Sequence, residues 1–311
     1  MNFSPHILDE IKGLAQNLGF VATGYANITP LTEEIRRYTQ SMDEGYFAEL
    51  NYLKRNIEKR ENPQLLVEGA KSVLVFLAPY GSLRKTQVNK EDTCRDFIEI
   101  NCLTADDAEI ISKYKVAQYS LGEDYHTVIK AKLNTILSHM QQMDQTISGR
   151  VFVDTAPVLE RAWAVEAGLG FIGKNNFFIS REHGIRNFIG VIISNFEIQQ
   201  KELNITLPQD LEDSRKKKYC GNCTKCLEAC PTGALCAPYT LDARKCTSYL
   251  TIENKEASMP LNLEMAQHRD GWIFGCDACM NACPWNSRNK EGWTEFQQKQ
   301  DPLPISHLKR R

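Results

Sequence analysis

Cys220-Gly-Asn-Cys223-Thr-Lys-Cys226-Leu-Glu-Ala-Cys230-Pro231 and Cys276-Asp-Ala-Cys279-Met-Asn-Ala-Cys283-Pro284 are the two stretches that decide how this chain is built. The first has the C-x2-C-x2-C-x3-C-P spacing of bacterial ferredoxins. There a tight loop points three thiolates at one iron-sulfur cube, and the fourth cysteine crosses to the other. The second run is one ligand short, and Cys246 between the runs is the natural replacement. Eight thiolates then make two sets of four: Cys220, Cys223, Cys226 and Cys283 for one [4Fe-4S] cluster, Cys230, Cys246, Cys276 and Cys279 for the other. Four thiolates also suit a tetrahedral zinc ion, but zinc ribbons separate two C-x2-C pairs by a longer loop. The leftover Cys94, Cys102 and Cys236 are expected to behave as small buried hydrophobes.

Outward from these runs, the chain is ordinary in composition. Its 311 residues are 42% hydrophobic and 24% charged, enough for two domains with a core each. Eleven cysteines crowded largely into one region favour metal ligation over a disulfide framework. A net charge of -2 neither supports nor excludes a nucleic-acid ligand, which needs only a local basic patch. No apolar run reaches the roughly 18 residues of a membrane span, and the start, Met1-Asn-Phe-Ser-Pro-His, lacks the pattern of a secretory signal. A cytoplasmic location is therefore expected. No heptad run argues for a stable oligomer, so a monomer is expected too.

Before the cysteines the patterning alternates between helix and strand. Ile7, Leu8, Ile11, Leu14 and Leu18 repeat at helical spacing up to Gly19, which suits a left-handed cap. Val73 to Ala78, closed by Pro79, reads as a buried strand, and Val151-Phe-Val153 as another. Pro157 then fits the first turn of a helix whose face carries Val158, Ala162 and Val165, ending at Gly168. Phe177 to Ile179 and Phe188 to Ile193 flank a polar turn at Arg181-Glu-His-Gly184. The composition turns polar from Lys201 to Lys218, ending in Arg215-Lys-Lys-Lys218, which reads as a solvated linker or a phosphate-contacting patch. The expected organisation is α+β: an α/β domain over residues 1-205, a ferredoxin-like two-cluster domain over 206-290, and a tail over 291-311.

Two further features need weighing. Gly168-Leu-Gly170-Phe-Ile-Gly173 matches the G-x-G-x-x-G pattern, but a dinucleotide site needs that loop after a strand and opening a helix. Here the order is reversed, so the glycines read as a cap and a tight turn. Asp154 lies where a strand meets an expected helix start. It is either a cap accepting backbone N–H bonds or an acid whose pocket raises its pKa so that it holds a proton near neutrality.

Asp154-Thr-Ala-Pro-Val-Leu-Glu-Arg161, Ala167-Gly-Leu-Gly-Phe-Ile-Gly-Lys-Asn175 and Cys246-Thr-Ser-Tyr-Leu-Thr-Ile-Glu253, with Cys276-Asp-Ala-Cys279 and Cys283-Pro-Trp-Asn286, together resemble the epoxyqueuosine reductases. The resemblance runs from about Tyr52 to Asn286. It implies a cobalamin-dependent enzyme that reduces the epoxide of epoxyqueuosine in a tRNA anticodon, giving queuosine as the last step of its synthesis. Electrons would come from an external low-potential donor through the two [4Fe-4S] clusters to a cobalamin lying between the two domains, its lower base displaced.

The same resemblance puts the general acid at Asp154, which also falls beside the cofactor together with Arg60 and Ser248. Tyr119 and His126, in Tyr119-Ser-Leu-Gly-Glu-Asp-Tyr-His126, fall near the substrate, with packing and surface polarity as the plainer reading of both. Many members carry Arg where this chain has Glu123, and the segment from Arg84 to Lys115 is longer than usual. Some longer members append helical repeats, which makes Arg215 to Lys218 and Lys309-Arg-Arg311 the candidates here for contacts to tRNA phosphates. Two other classes are weighed against this reading: a corrinoid enzyme resembling the reductive dehalogenases, and a plain ferredoxin-like electron carrier.

Overall fold

Helix α1, Pro5–Asn17, carries the first apolar stripe inward, with Ile11 and Ala15 fully buried. Gly19 closes it at φ +95, as a left-handed cap requires. The structure is a computed structural model that describes residues 5–81, 115–198, 219–254 and 268–297. Cys94, Cys102, the expected linker over 201–218 with its basic run, and the Lys309-Arg-Arg311 tail lie outside the described residues.

After α1 come β1 (Ala22–Asn27), α2 (Thr32–Asp43), α3 (Ile57–Glu61) and β2 (Ser72–Pro79). Next are β3 (Lys115–Val116), the long α4 (Tyr125–Met143), β4 (Gly149–Phe152), α5 (Glu160–Glu166), β5 (Phe171–Ile172), β6 (Phe178–Ile179) and β7 (Asn187–Ser194). Four of these strands form one sheet in the order β1-β2-β7-β4, every neighbouring pair antiparallel. All eight residues of β2 are buried because the sheet is covered on both faces. Leu74, Phe76 and Ala78 face α1 and α4 through Leu8, Ile11, Ile129 and Leu133. Val73, Val75 and Leu77 face α5 through Trp163 and Ala164. That is why this antiparallel strand reads as a continuous apolar run instead of alternating. Burying a side chain such as Phe76 contributes roughly 1.5–3 kcal/mol.

The cysteine-bearing part adds α6 (Lys225–Glu228), β8 (Leu235–Ala237), β9 (Thr240–Leu241), α7 (Thr247–Ile252), β10 (Trp272–Phe274) and α8 (Ala278–Asn281). It shares the core of the first part. Met280 and Cys283 belong to the same apolar cluster as Leu8 and Phe20, and β10 pairs with β3. Residues 291–297, expected to begin a tail, are packed: Trp293 is buried against Phe20 at 5.1 Å and its indole N–H donates to the Gly19 carbonyl at 2.7 Å. Two large aromatics three residues apart, Trp293 and Phe296, gain more from that cleft than a solvated tail could offer.

The glycine-rich stretch is a cap and a turn, as its order predicts. Gly168 ends α5 at φ +74, and β5 and β6 form a hairpin. A Cβ on Gly170 would collide with the Ile179 backbone across that hairpin. Two local readings are corrected. Helix α5 begins at Glu160, not in the turn of Pro157, because Thr155 N–H bonds the Val153 carbonyl and Val158 N–H the Ala156 carbonyl in successive tight turns. Cys236 is exposed, since the alternation of β8 that buries Leu235 turns its neighbour outward.

Candidate active site

The cysteines are brought together by two four-residue helical turns, α6 and α8, each ended by a cysteine whose following proline cannot continue the helix. All nine described cysteines are free thiols. Eight of them lie close enough to influence one another electrostatically. Burial raises Cys226, and Cys220 and Cys223 add to it; burial raises Cys283, and Cys220, Cys226 and Cys223 add to it. Burial likewise pushes Cys276 up to about 12 with help from Cys246 and Cys230, and raises Cys279 with help from Cys276, Cys246, Cys230 and, from the first run, Cys226. Cys230 goes the other way: burial opposes it, but the backbone N–H groups of Leu235, Thr232 and Ala234 and the Thr232 hydroxyl hold it low. Among the described residues no three His, Cys, Asp or Glu side chains close on one point as a single metal ion needs. Eight thiols gathered with no tight single-ion site suit iron-sulfur cubes better than a zinc tetrahedron.

Asp154 sits in the turns between β4 and α5, at φ +58. It is not a helix cap. Its own N–H donates to Glu160 Oε1 at 3.0 Å, so the carboxyl group of Glu160 holds the left-handed backbone in place. The Asp154 side chain points back to the start of α4, where Tyr125 donates its hydroxyl to Oδ2 at 2.6 Å and His126 Nε2 lies 3.5 Å away. Asp124 fixes that histidine, since its Oδ1 accepts the His126 N–H at 3.0 Å and meets Nδ1 at 2.8 Å. Tyr125 is held flat on Phe188, the ring centroids 4.1 Å apart.

The electrostatics reverse one expectation. Asp154 is held below the ordinary carboxylate range, first by its contact with His126, against burial, and then by the Tyr125 hydroxyl. Glu160 carries the raised pKa instead, pushed up to about 8 by burial and then by the charge of Asp154. Burial also lowers Arg161, whose Nη1 donates to the Asn176 carbonyl. Arg161 and Asp154 are nonetheless open to solvent at their surfaces.

Within electrostatic reach of Asp154 stands Tyr52, 53% exposed, raised to about 12 by burial, then by Glu253 and Asp154. Its hydroxyl donates to Glu253 at 3.4 Å. Glu253 caps the C-terminus of α7 and Cys246 its N-terminus, so one helix links Cys246 to the side chain that Tyr52 meets. Ser248 lies in the first turn of α7, and its carbonyl accepts from the Thr251 hydroxyl. Arg60 is buried under Tyr52, with Nη2 donating to the Tyr52 carbonyl at 3.3 Å and the guanidinium over the Tyr38 ring at 5.5 Å. Its Nε has no hydrogen-bond partner among the described residues, and neither does the buried Thr247 hydroxyl. Orphaned polar atoms fit a site built to receive a polar group.

The structure therefore brings His126 and Asp154 together directly. Arg60 lies under Tyr52 and Ser248 in the first turn of α7, while Tyr119 is one ring removed, packed between Tyr125 and Phe274 at 6.4 Å from each. Reasoning from sequence passed over Tyr125, Glu160, Arg161 and Tyr52. The first three adjoin or belong to the motifs already quoted, so their signal was position within a motif.

Residues 60–155 match the family model described as epoxyqueuosine reductase QueG, and residues 219–286 the 4Fe-4S double cluster binding domain. The epoxyqueuosine reductase of Cyclobacterium marinum is 38% identical over 280 residues, covering 90% of this chain and 79% of that protein. The chain belongs to the epoxyqueuosine reductase family. The Pseudomonas aeruginosa member is 34% identical over 291 residues, 92% of this chain and 71% of its own length. Among solved structures, epoxyqueuosine reductase from Bacillus subtilis matches at a TM-score of 0.71 and 26% identity, covering 97% of this chain and 70% of that one. Another, solved with a tRNA-Tyr epoxyqueuosine-modified tRNA stem loop, matches in fold at a TM-score of 0.68 and 24% identity, covering 97% and 71%. Family membership makes the chain an oxidoreductase with a double-cluster 4Fe-4S domain, and it disfavours both the reductive-dehalogenase and the electron-carrier readings.

Proposed function

We propose that this chain reduces epoxyqueuosine to queuosine in tRNA, with residues 1-205 holding corrinoid and substrate and residues 206-290 holding the two clusters. The observation that carries the reading is the solvent-open Asp154, held by Tyr125, His126 and Glu160 and within electrostatic reach of Tyr52, which α7 ties through Glu253 to cysteine ligand Cys246. Arg60, with its orphaned Nε, and Ser248 would line the cobalamin, alongside Asp154. When bound, cobalamin supplies a strongly reducing centre fed by the two [4Fe-4S] clusters. The ligand sets are Cys220, Cys223, Cys226 and Cys283, and Cys230, Cys246, Cys276 and Cys279.

Removal of an epoxide oxygen as water takes two electrons and two protons, and the chain's own side chains must deliver the protons. Asp154 is placed to hand them on. In this arrangement it is an anion at neutral pH, so it does not store a proton; Tyr125 and His126 sit on its Oδ2 as the groups that can pass one to it. Glu160 is the neighbouring carboxyl that still holds a proton at neutrality. His126 and Tyr119 lie on the side from which a modified base would enter. The physiological setting of this reading is a cytoplasmic monomer served by an external low-potential donor; among the described residues no helix is long and apolar enough to cross a membrane.

The test is anaerobic reconstitution with iron, sulfide and cobalamin, followed by mass spectrometry of nucleosides from an epoxyqueuosine-containing tRNA. Wild type should yield queuosine, and Asp154→Ala should keep cobalamin and clusters while losing conversion. Equal rates in the two proteins would strip Asp154 of its role, and no conversion by loaded wild type would reject the tRNA reading.

A further inference from the structure

Lys174 and Asn175 form the tip of the β5–β6 hairpin, inside the turn closed by the Gly173 N–H on the Phe177 carbonyl. Both are buried, with 7% and 3% of their surface exposed. Each reaches a different cysteine loop. Lys174 Nζ donates to the carbonyls of Gly221 at 2.7 Å and Cys223 at 2.9 Å, in the first run. Asn175 Nδ2 donates to the Cys279 carbonyl at 3.4 Å, in the second. One hairpin tip thus touches both loops, with a charge on one and a neutral amide on the other.

The described residues place no opposite charge against that ammonium. Among the described residues no carboxylate lies within ion-pair distance of Lys174, and two neutral carbonyls do not offset the several kcal/mol that burying an ammonium costs. What lies beside it is a group of thiols that carry negative charge once they ligate iron. The second loop differs in this respect. Its buried Asp277, between Cys276 and Cys279, is paired with the buried Arg186 at 3.1 Å, so the pair is neutral overall. The charged side chains of the first run itself, Lys225 and Glu228, are exposed to water, where their influence is screened.

We propose that Lys174 is a positioning residue for the cluster of Cys220, Cys223, Cys226 and Cys283, and that its buried cation sets that cluster's reduction potential above that of the cluster of Cys230, Cys246, Cys276 and Cys279. The inference rests on the cluster assignment of the proposed function. Reduction adds one electron, and so one negative charge, to a cube, with an external one-electron donor supplying it. A fixed positive charge nearby stabilises the reduced form, which is one of the levers by which a protein tunes these centres. In a stepwise reduction the first-run cluster then fills first.

The experiment is a redox titration of the anaerobically reconstituted full chain, followed by the electron paramagnetic resonance of the reduced clusters. Cys223→Ser and Cys246→Ser assign the two signals. In wild type the signal altered by Cys223→Ser should have the higher midpoint. Lys174→Met should move that midpoint down and leave the other in place, while Lys174→Arg, which keeps the charge, should restore it. Unmoved midpoints in a fully loaded Lys174→Met protein would overturn the role of Lys174 alone. The wild-type order is the safeguard if the Met variant loads poorly: a lower midpoint for the first-run cluster would overturn it equally. Fewer than two cluster signals in wild type would overturn the cluster assignment and this role together.

Discussion

Replacing Glu160 by Gln isolates the one carboxyl in the site whose proton binding the fold has changed most clearly. Burial and the neighbouring charge of Asp154 raise its pKa from the ordinary 4.5 to about 8. A group whose folded-state pKa lies above its unfolded value contributes stability that is fully present below the lower value and lost as pH rises through the higher one. Inside that window the folded protein holds a proton that the unfolded chain has released, and stability falls by about 1.4 kcal/mol per pH unit. Between about pH 6 and about pH 9 the loss from Glu160 alone would approach about 2.7 kcal/mol. The side chain is partly open to water, so screening reduces this to about 1–2 kcal/mol. Gln keeps an oxygen for the Asp154 N–H at 3.0 Å and cannot titrate. Unfolding of the reconstituted wild type and Glu160→Gln should therefore be compared at the two pH values. Wild type should lose about 1–2 kcal/mol more than the variant on going to the higher pH. Asp154 does not interfere, because its lowered pKa confines its own contribution to acid: present above about 3.8 and lost as pH falls below it. Parallel pH dependences would refute the argument that Glu160 holds a proton in the folded protein.

Other consequences are open to direct measurement. Cys283→Ser and Cys223→Ser should damage the same cluster although the residues are far apart in sequence, and Cys246→Ser the other; iron analysis and spectra of the single and paired variants would show it, and a Cys283 effect that tracks Cys276 would contradict the assignment. Arg186→Met breaks the buried pair with Asp277 and the bond from Nη2 to Asn281, and should cost about 3–5 kcal/mol in unfolding experiments. Adding Asp277→Leu should recover part of that loss, since it removes the stranded charge; no recovery would mean that Asp277 acts through its bond to the Gln118 N–H, at 2.9 Å, instead.

How much of this was legible beforehand varied with the range of the interaction concerned. The double-cluster character of the cysteine runs was readable because ligand loops are local, and their spacing matches a 4Fe-4S double cluster binding domain over residues 219–286. The Gly168 cap, the buried β2 and the hairpin after Gly170 were readable for the same reason: a missing Cβ or an apolar run acts on its immediate neighbours. The surroundings of Asp154 were not. Its place after a strand suggested a cap, whereas two tight turns delay α5 to Glu160 and leave Asp154 facing residues about thirty positions earlier.

By itself, then, the sequence determined which residues are chemically equipped: eight thiols at ferredoxin spacing, an acid in a recognisable motif, and enough apolar periodicity for a covered sheet. Tertiary structure alone decided their condition. It lowered Asp154 and raised Glu160 by setting one beside His126 and Tyr125 and burying the other beside Asp154. It buried Lys174 against the first cysteine loop, turned Cys236 to solvent and drew Trp293 into the core. Residue type sets what a group can bind or donate, but its charge state depends on the dielectric and the neighbours around it, and those come from parts of the chain that only folding brings together.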